Sequence, residues 1–229
     1  MICLGIDTST PIVRVALTKD GDALQSSSGQ SGKTHSETLL VAVREATDRA
    51  GVSLSSVDLI AVGCGPGAWT GLRVGITTAK ALAYALSLPI VGVSTFEAVA
   101  AGLKGYCGDV VVVLDARRGE ICGARFVVDG LGGAEPGGAF FVCMPDDLDR
   151  FAGRDSALVG NGVPLVPEGL RAGRRVLPAQ FGEPDAAVIC GLATARYRLQ
   201  GPDSLPDVAP IYVRRSDAEL AAEKKDRVR

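Results

Sequence analysis

Residues 63–75 read GCGPGAWTGLRVG, five glycines and one proline set between the apolar run VDLIAV and a long stretch of helical apolar periodicity. A chain that passes from a buried strand through so tight a corner into a helix is committed to laying that helix across a sheet. Glycines at such a corner also suggest a phosphate cradle, and the spacing tests this. The dinucleotide fingerprint fails because Thr70 stands where its third glycine belongs, and the Gly-Lys-Ser/Thr ending of a P-loop is missing. Two readings stay open: an anion at the N-terminus of the following helix, or glycines at 71 and 75 that flatten one helix side for close packing.

The remainder of the chain predicts more strands and helices of the same kind. ICLGID ends at Asp7, and VRVALT alternates as a half-buried strand does; Asp20-Gly21 then turns toward a weaker strand near 23–28. Thr34 with Glu37 three residues later forms a capping-box pattern. Leu39, Leu40, Val43, Ala46 and Ala50 follow as an apolar face, and Gly51 stops the helix. Beyond the glycine corner, Leu72, Ile76, Ala79, Ala83 and Leu86 make one stripe, and Val74, Thr78, Ala81, Ala85 and Leu88 make a second, mostly small one. A helix with two such stripes asks for cover on more than one side. Pro89 ends it, PIVGV gives a strand, and Thr95 opens a short helix. The strand–turn–strand pattern then recurs in DVVVVLDARRGEICGARFVV, where Asp115 to Ile121 repeats the interval from Asp7 to Val13, as two related halves would. Residues 131–139 and 164–184 read as loops around shorter elements, a helix follows from about Pro184, and the tail AAEKKDRVR reads as frayed.

Composition narrows the function classes. A 229-residue chain that is 47% hydrophobic can bury a substantial core. Its net charge of −2 is the wrong balance for gripping nucleic acid by phosphate neutralisation alone. The first ten residues carry no basic leader, and the most apolar segment, 79–93, contains Lys80 and is broken by Pro89, which predicts neither signal peptide nor membrane span and hence a cytoplasmic protein. Six cysteines without a C-x-x-C pair read as reduced core thiols, and a single histidine, His35, is too few for a histidine-rich zinc site or a Ser-His-Asp triad.

Three groups of residues are candidates for chemistry or contact. Asp7, followed by Thr8, Ser9 and Thr10, offers a carboxylate for Mg²⁺ and hydroxyls for phosphates, and the same residues equally build a turn. Trp69, the only tryptophan, is either an exposed anchor or ordinary core. Arg73, Thr77, Lys80 and Tyr84 share one helical stripe, which is either a solvated face or a binding face.

The ordered segments IDTST, THSETLL, GCGPGAWTGLRVGITTAKALA, LPIVGVSTFEAVA, LDARRGEIC, the GNG at 160–162 and PIYVRR resemble the bacterial TsaB (YeaZ) family over nearly the whole chain. The resemblance implies an α/β, two-lobed actin/sugar-kinase/Hsp70-like (ASKHA, ribonuclease H-like) fold, with a first lobe over 1–103, a reduced second lobe over 104–215 and a charged tail over 216–229. It implies a non-catalytic subunit that binds a TsaD-type paralogue and, with a TsaE-type ATPase, supports threonylcarbamoyl transfer to the adenosine beside the tRNA anticodon. The chain then meets tRNA only through the complex, has no cofactor of its own, leaves ATP or ADP to the complex interface, and self-associates as a homodimer when alone. The H-x-x-x-H metal pair of TsaD-type proteins falls here on Thr95 and Val99, neither of which replaces an imidazole. The partner interface is then expected on the two first-lobe helices, through Thr38, Ala42, Trp69, Leu72, Arg73, Ile76, Thr77 and Lys80. Two other readings compete: an ATP/Mg-dependent carbamoyl- or phosphotransferase using Asp7, and a peptidase.

Overall fold

A computed structural model describes residues 1–29 and 33–213. The tail at 216–229, Arg214 and Arg215 of the PIYVRR segment, and residues 30–32 of the polar stretch before the first helix lie outside the described residues.

Two five-stranded sheets carry the fold. The first is built from β1 (Ile2–Asp7), β2 (Arg14–Lys19), β3 (Asp22–Ser28), β4 (Leu59–Gly65) and β5 (Ile90–Ser94) in the order β3-β2-β1-β4-β5. β1 runs antiparallel to β2 and parallel to β4. The second sheet is built from β6 (Cys107–Arg117), β7 (Glu120–Asp129), β8 (Ala134–Pro136), β9 (Phe141–Cys143) and β10 (Ala157–Val159), in the order β10-β6-β7-β8 with β9 also on β7. There β6 runs antiparallel to β7 and parallel to β10. The pattern of β1 between its hairpin partner and a parallel strand is thus repeated by β6, which gives structural form to the self-similarity of the two halves. β8 is a short element inside the glycine-rich stretch, where Val128 pairs with Ala134.

Helix α1 (His35–Ala50) starts on the anticipated capping box, with the Thr34 amide donating to Glu37 at 2.8 Å, and stops at Gly51 in the left-handed region. Helix α2 (Trp69–Leu86) ends two residues earlier than its apolar stripes suggest, because Ser87 adopts a left-handed cap. α1 and α2 cover one face of the first sheet. Leu39, Ala42, Val43, Leu72, Ile76 and Ala79 interleave there with Leu4, Ile6, Val15 and Val62.

Helix α3 (Thr95–Ala101) joins the lobes, with Phe96 and Val99 in the second-lobe core and Ala98 in a core with Val91 and Val93 of the first sheet. After a short turn of helix, α4 (Glu168–Arg171), comes α5 (Ala186–Gln200), whose N-terminus is capped by Asp185 accepting from Ala187 N at 2.8 Å. α5 corrects the expected lobe boundaries. Ile189, Cys190 and Ala193 pack with Cys3, Leu59 and Ala61 on the other face of the first sheet, so the first lobe is discontinuous and reclaims the chain from α5 onward. A central sheet with helices on both faces needs that return, since one face of β1 and β4 is otherwise left uncovered.

Candidate functional site: the glycine corner and the interlobe cleft

The β1–β2 loop and the glycine corner are packed directly onto one another. Thr8 Oγ1 donates to the Gly71 carbonyl at 2.8 Å, and Ala68 N donates to the Ser9 carbonyl at 2.8 Å. A side chain at Gly71 would collide with the Thr8 carbonyl, and one at Gly75 with the Thr8 hydroxyl. The glycines therefore serve close approach, and what they approach is the loop that was a candidate phosphate cradle. His35 closes the same corner from α1, its Nε2 lying 2.8 Å from the Thr10 carbonyl.

This packing corrects the reading of Asp7, Thr8 and Ser9 as metal- and phosphate-facing groups. Asp7 and Thr8 have no exposed surface and Ser9 keeps only 5%. Asp7 Oδ1 accepts from Ser9 N at 3.1 Å and Ser9 Oγ at 2.8 Å, while Oδ2 has no hydrogen-bond partner among the described residues and lies against Gly63. Burial pushes the carboxyl up to about 6, against the opposing pull of the two Ser9 bonds and of the Arg14 and His35 charges. Asp7 is a buried turn-builder whose carboxylate has no exposed surface.

Beside the corner, a cleft of about 910 Å³ opens between the lobes, lined by Trp69, Arg73 and Thr95 on one side and by Leu114, Arg117 and Asn161 on the other. Asn161 Oδ1 accepts from Asp115 N at 2.9 Å and fixes the end of β6. The β6–β7 hairpin tip reaches the cleft with Arg117 and Arg118 both at positive φ, and Arg117 pairs with Asp115 at 3.3 Å. Thr95 is buried, and its hydroxyl has no hydrogen-bond partner among the described residues. Val99 lies in the second-lobe core. Among the described residues, no group of three His, Cys, Asp or Glu side chains is placed to hold a metal ion.

The expected interface residues separate into two sets. Thr38, Ala42, Leu72 and Ile76 are buried in the chain's own first-lobe packing, which corrects their assignment to a partner surface: α1 and α2 turn these positions toward their own sheet. Arg73 and Thr77 are exposed, Lys80 is half-buried and Tyr84 is 79% exposed, so the polar stripe of α2 is its outward face. Leu40, expected on the apolar face of α1, is also outward, as is Val41. Trp69 fits neither simple alternative. It is 37% exposed, its ring stacks on Tyr212 with centroids 3.9 Å apart, and the Arg73 guanidinium sits 4.5 Å from the indole centroid. Tyr212 escaped the sequence reading because it lies 139 positions from Arg73, to which its hydroxyl is hydrogen-bonded at 3.0 Å.

Two lobes related by a repeated hairpin-plus-parallel-strand unit and facing each other across a cleft define the actin/sugar-kinase/Hsp70-like fold class. Component A of (R)-2-hydroxyglutaryl-CoA dehydratase from Acidaminococcus fermentans shares the fold alone, with a TM-score of 0.50 at 10% identity over 86% of this chain and 99% of that one. A family model described as "TsaD: tRNA N6-adenosine threonylcarbamoyltransferase" matches residues 29–134. The solved structure of YeaZ from Pseudomonas aeruginosa superposes with a TM-score of 0.79 at 31% identity, over 92% of this chain and 99% of that one. The tRNA threonylcarbamoyladenosine biosynthesis protein TsaB of Haemophilus influenzae is 28% identical over 92% of each chain. The chain belongs to the TsaB (YeaZ) family.

Proposed function

We propose that the chain is a non-catalytic partner subunit in tRNA threonylcarbamoyladenosine biosynthesis, docking a TsaD-type paralogue through the outward face of its first-lobe helices. The observation that carries this reading is the closure of the β1–β2 loop by α2: of the groups an independent ATP/Mg-dependent transferase would use, Thr8 and the Ser9 carbonyl hold the helix and Asp7 is engaged by Ser9. Thr95 and Val99, where an H-x-x-x-H pair would stand, are both buried, so the peptidase reading has no metal-binding pair there. Trp69, Arg73, Thr77 and Lys80 remain the expected contact residues, joined now by Leu40, Val41 and Tyr84, whose exposure leaves apolar area that a partner helix would cover. The same face serves a homodimer when the partner is absent. Contact with a TsaE-type ATPase and with tRNA is made within the complex, any ATP or ADP sits at the shared interface, and the chain acts in the cytoplasm; among the described residues no helix is long and apolar enough to cross a membrane.

The test is co-purification with a TsaD-type protein using the double variant Thr77→Glu with Tyr84→Glu, which leaves the Arg73 contacts to Trp69 and Tyr212 in place. Both positions are exposed, so the variant leaves the core intact and changes only the docking face. Loss of co-purification with an unchanged melting temperature is the expected result, and retention sinks the interface assignment. An Ile76→Glu change would not serve, because Ile76 is 4% exposed and a charge there unfolds the lobe.

A further inference from the structure

After α5 the chain crosses back over the mouth of the cleft, and residues 211–213 line it. Three consecutive side chains there have three different attachments. Ile211 packs against the first-lobe core and its amide donates to the Cys64 carbonyl at 2.7 Å, extending the β4 end of the first sheet. Val213 packs against the second-lobe core, with Phe96, Val110 and Leu114 among its members. Tyr212, between them, stacks on Trp69 and accepts a hydrogen bond from Arg73 Nε.

We propose that residues 210–213 are an interlobe latch, whose seating on Trp69 and Arg73 sets the spacing of the two lobes. The argument is one of chain geometry. Tyr212 stands one residue from each anchor, so a displacement of the backbone at Tyr212 is passed directly to Ile211 and Val213. Because Ile211 and Val213 enter different cores, the strap cannot leave Trp69 and remain seated in both lobes at once. Releasing Tyr212 therefore loosens one lobe from the other, and separating the lobes pulls Tyr212 off the indole. Trp69 and Arg73 also lie on the proposed partner face, so docking there and latch seating are linked. That last link rests on the reading above, whereas the latch is a property of the isolated chain.

Trp69 is the only tryptophan, so its fluorescence reports strap seating without labelling. The experiment measures acrylamide quenching of the isolated full chain together with its radius of gyration by small-angle scattering, at a matched oligomeric state. The variants are Val213→Ser, which removes the second-lobe anchor and leaves the Trp69–Tyr212 pair chemically intact, and Tyr212→Phe, which keeps the stack and removes only the bond from Arg73. Val213→Ser is expected to raise Trp69 quenching severalfold and to expand the chain, and Tyr212→Phe to move both only slightly. Wild-type quenching in Val213→Ser, or quenching that rises with no change in scattering, overturns the latch. Should Val213→Ser fail to fold, the wild type decides: in urea below its unfolding midpoint, the Ile211 amide exchanges and Trp69 quenching rises together if the latch opens as a unit. Exchange at Ile211 only through global unfolding overturns it.

Discussion

The Trp69 indole and the Tyr212 ring lie face to face, 3.9 Å between centroids and 19° from coplanar, with the Arg73 guanidinium 4.5 Å from the indole. This cluster fastens the returning chain to the start of α2. An aromatic pair of this kind contributes about 0.5–1.5 kcal/mol beyond burial and a partly exposed cation–π contact about 0.5–1 kcal/mol. Trp69→Ala is expected to lower the unfolding free energy by roughly 1–2.5 kcal/mol on those terms, and Trp69→Phe by less than half as much. Urea melts followed by circular dichroism measure both; equal losses would show that stacking is not what holds the strap.

The corner between α2 and the β1–β2 loop makes a sharper prediction. Gly71→Ala places a methyl against the Thr8 backbone carbonyl, and Gly75→Ala places one against the Thr8 side chain. Each overpacks the site, at a cost of about 1–3 kcal/mol. Thr8→Ala trims only the second obstruction, so combining it with Gly75→Ala recovers stability and combining it with Gly71→Ala does not. A double-mutant cycle that shows the same coupling for both glycines would contradict the packing described here.

Asp7 adds a pH dependence. Its folded carboxyl stands near 6 against an ordinary 3.8, because burial disfavours the charged form, so the folded chain holds this proton more tightly than the unfolded one. The stabilising contribution is complete below the unfolded value and is lost as pH rises through the folded value. A shift of this size corresponds to roughly 3 kcal/mol in neutral solution. Asp7→Asn is expected to flatten the decline in unfolding free energy between about pH 4 and pH 7, a change that melts across that range detect. An unchanged slope would mean that Asp7 is ionised without cost.

Thiol chemistry follows from burial. Cys107 is exposed and Cys143 half-buried, whereas Cys3, Cys64, Cys122 and Cys190 are buried. Desolvation pushes Cys64 up to about 11 and Cys122 up to about 12. Alkylation of the native chain with iodoacetamide at mildly alkaline pH, followed by mass spectrometry, is expected to modify Cys107 first and Cys143 more slowly, with the other four protected until denaturant is added. Early modification of Cys64 would show that the β4 end opens in solution.

Much of the first lobe was legible in the sequence, because its signals are local. The Thr34–Glu37 box, the αL stop at Gly51 and the Asp20-Gly21 turn each act within a few residues. The β1/β6 repeat was legible as an interval from Asp7 to Val13 and from Asp115 to Ile121, although the register differs by one residue: Asp115 pairs with Ile121, whereas Asp7 pairs with Arg14. What escaped depends on contacts distant along the chain. Periodicity showed two stripes on α2 but not which one faced the sheet, so Leu72 and Ile76 were expected at the partner surface when they are in the core. The return of α5 to the first sheet and the pairing of Tyr212 with Trp69 join segments separated by most of the chain, and nothing local marks either. The glycine corner carried its meaning in spacing, yet only the fold shows that the loop it packs on is the one with Asp7.

The central claim, a non-catalytic subunit needed by its partner, is tested most directly by reconstituting tRNA threonylcarbamoyladenosine formation from purified TsaD-type and TsaE-type proteins, ATP, threonylcarbamoyl donor and tRNA, with and without this chain. The account expects modified nucleoside only when the chain is present, no product and no ATP turnover from the chain alone, and no loss of product when Asp7→Asn replaces the wild type. Full product without the chain, or ATP turnover by the isolated chain that disappears in Asp7→Asn, would contradict it.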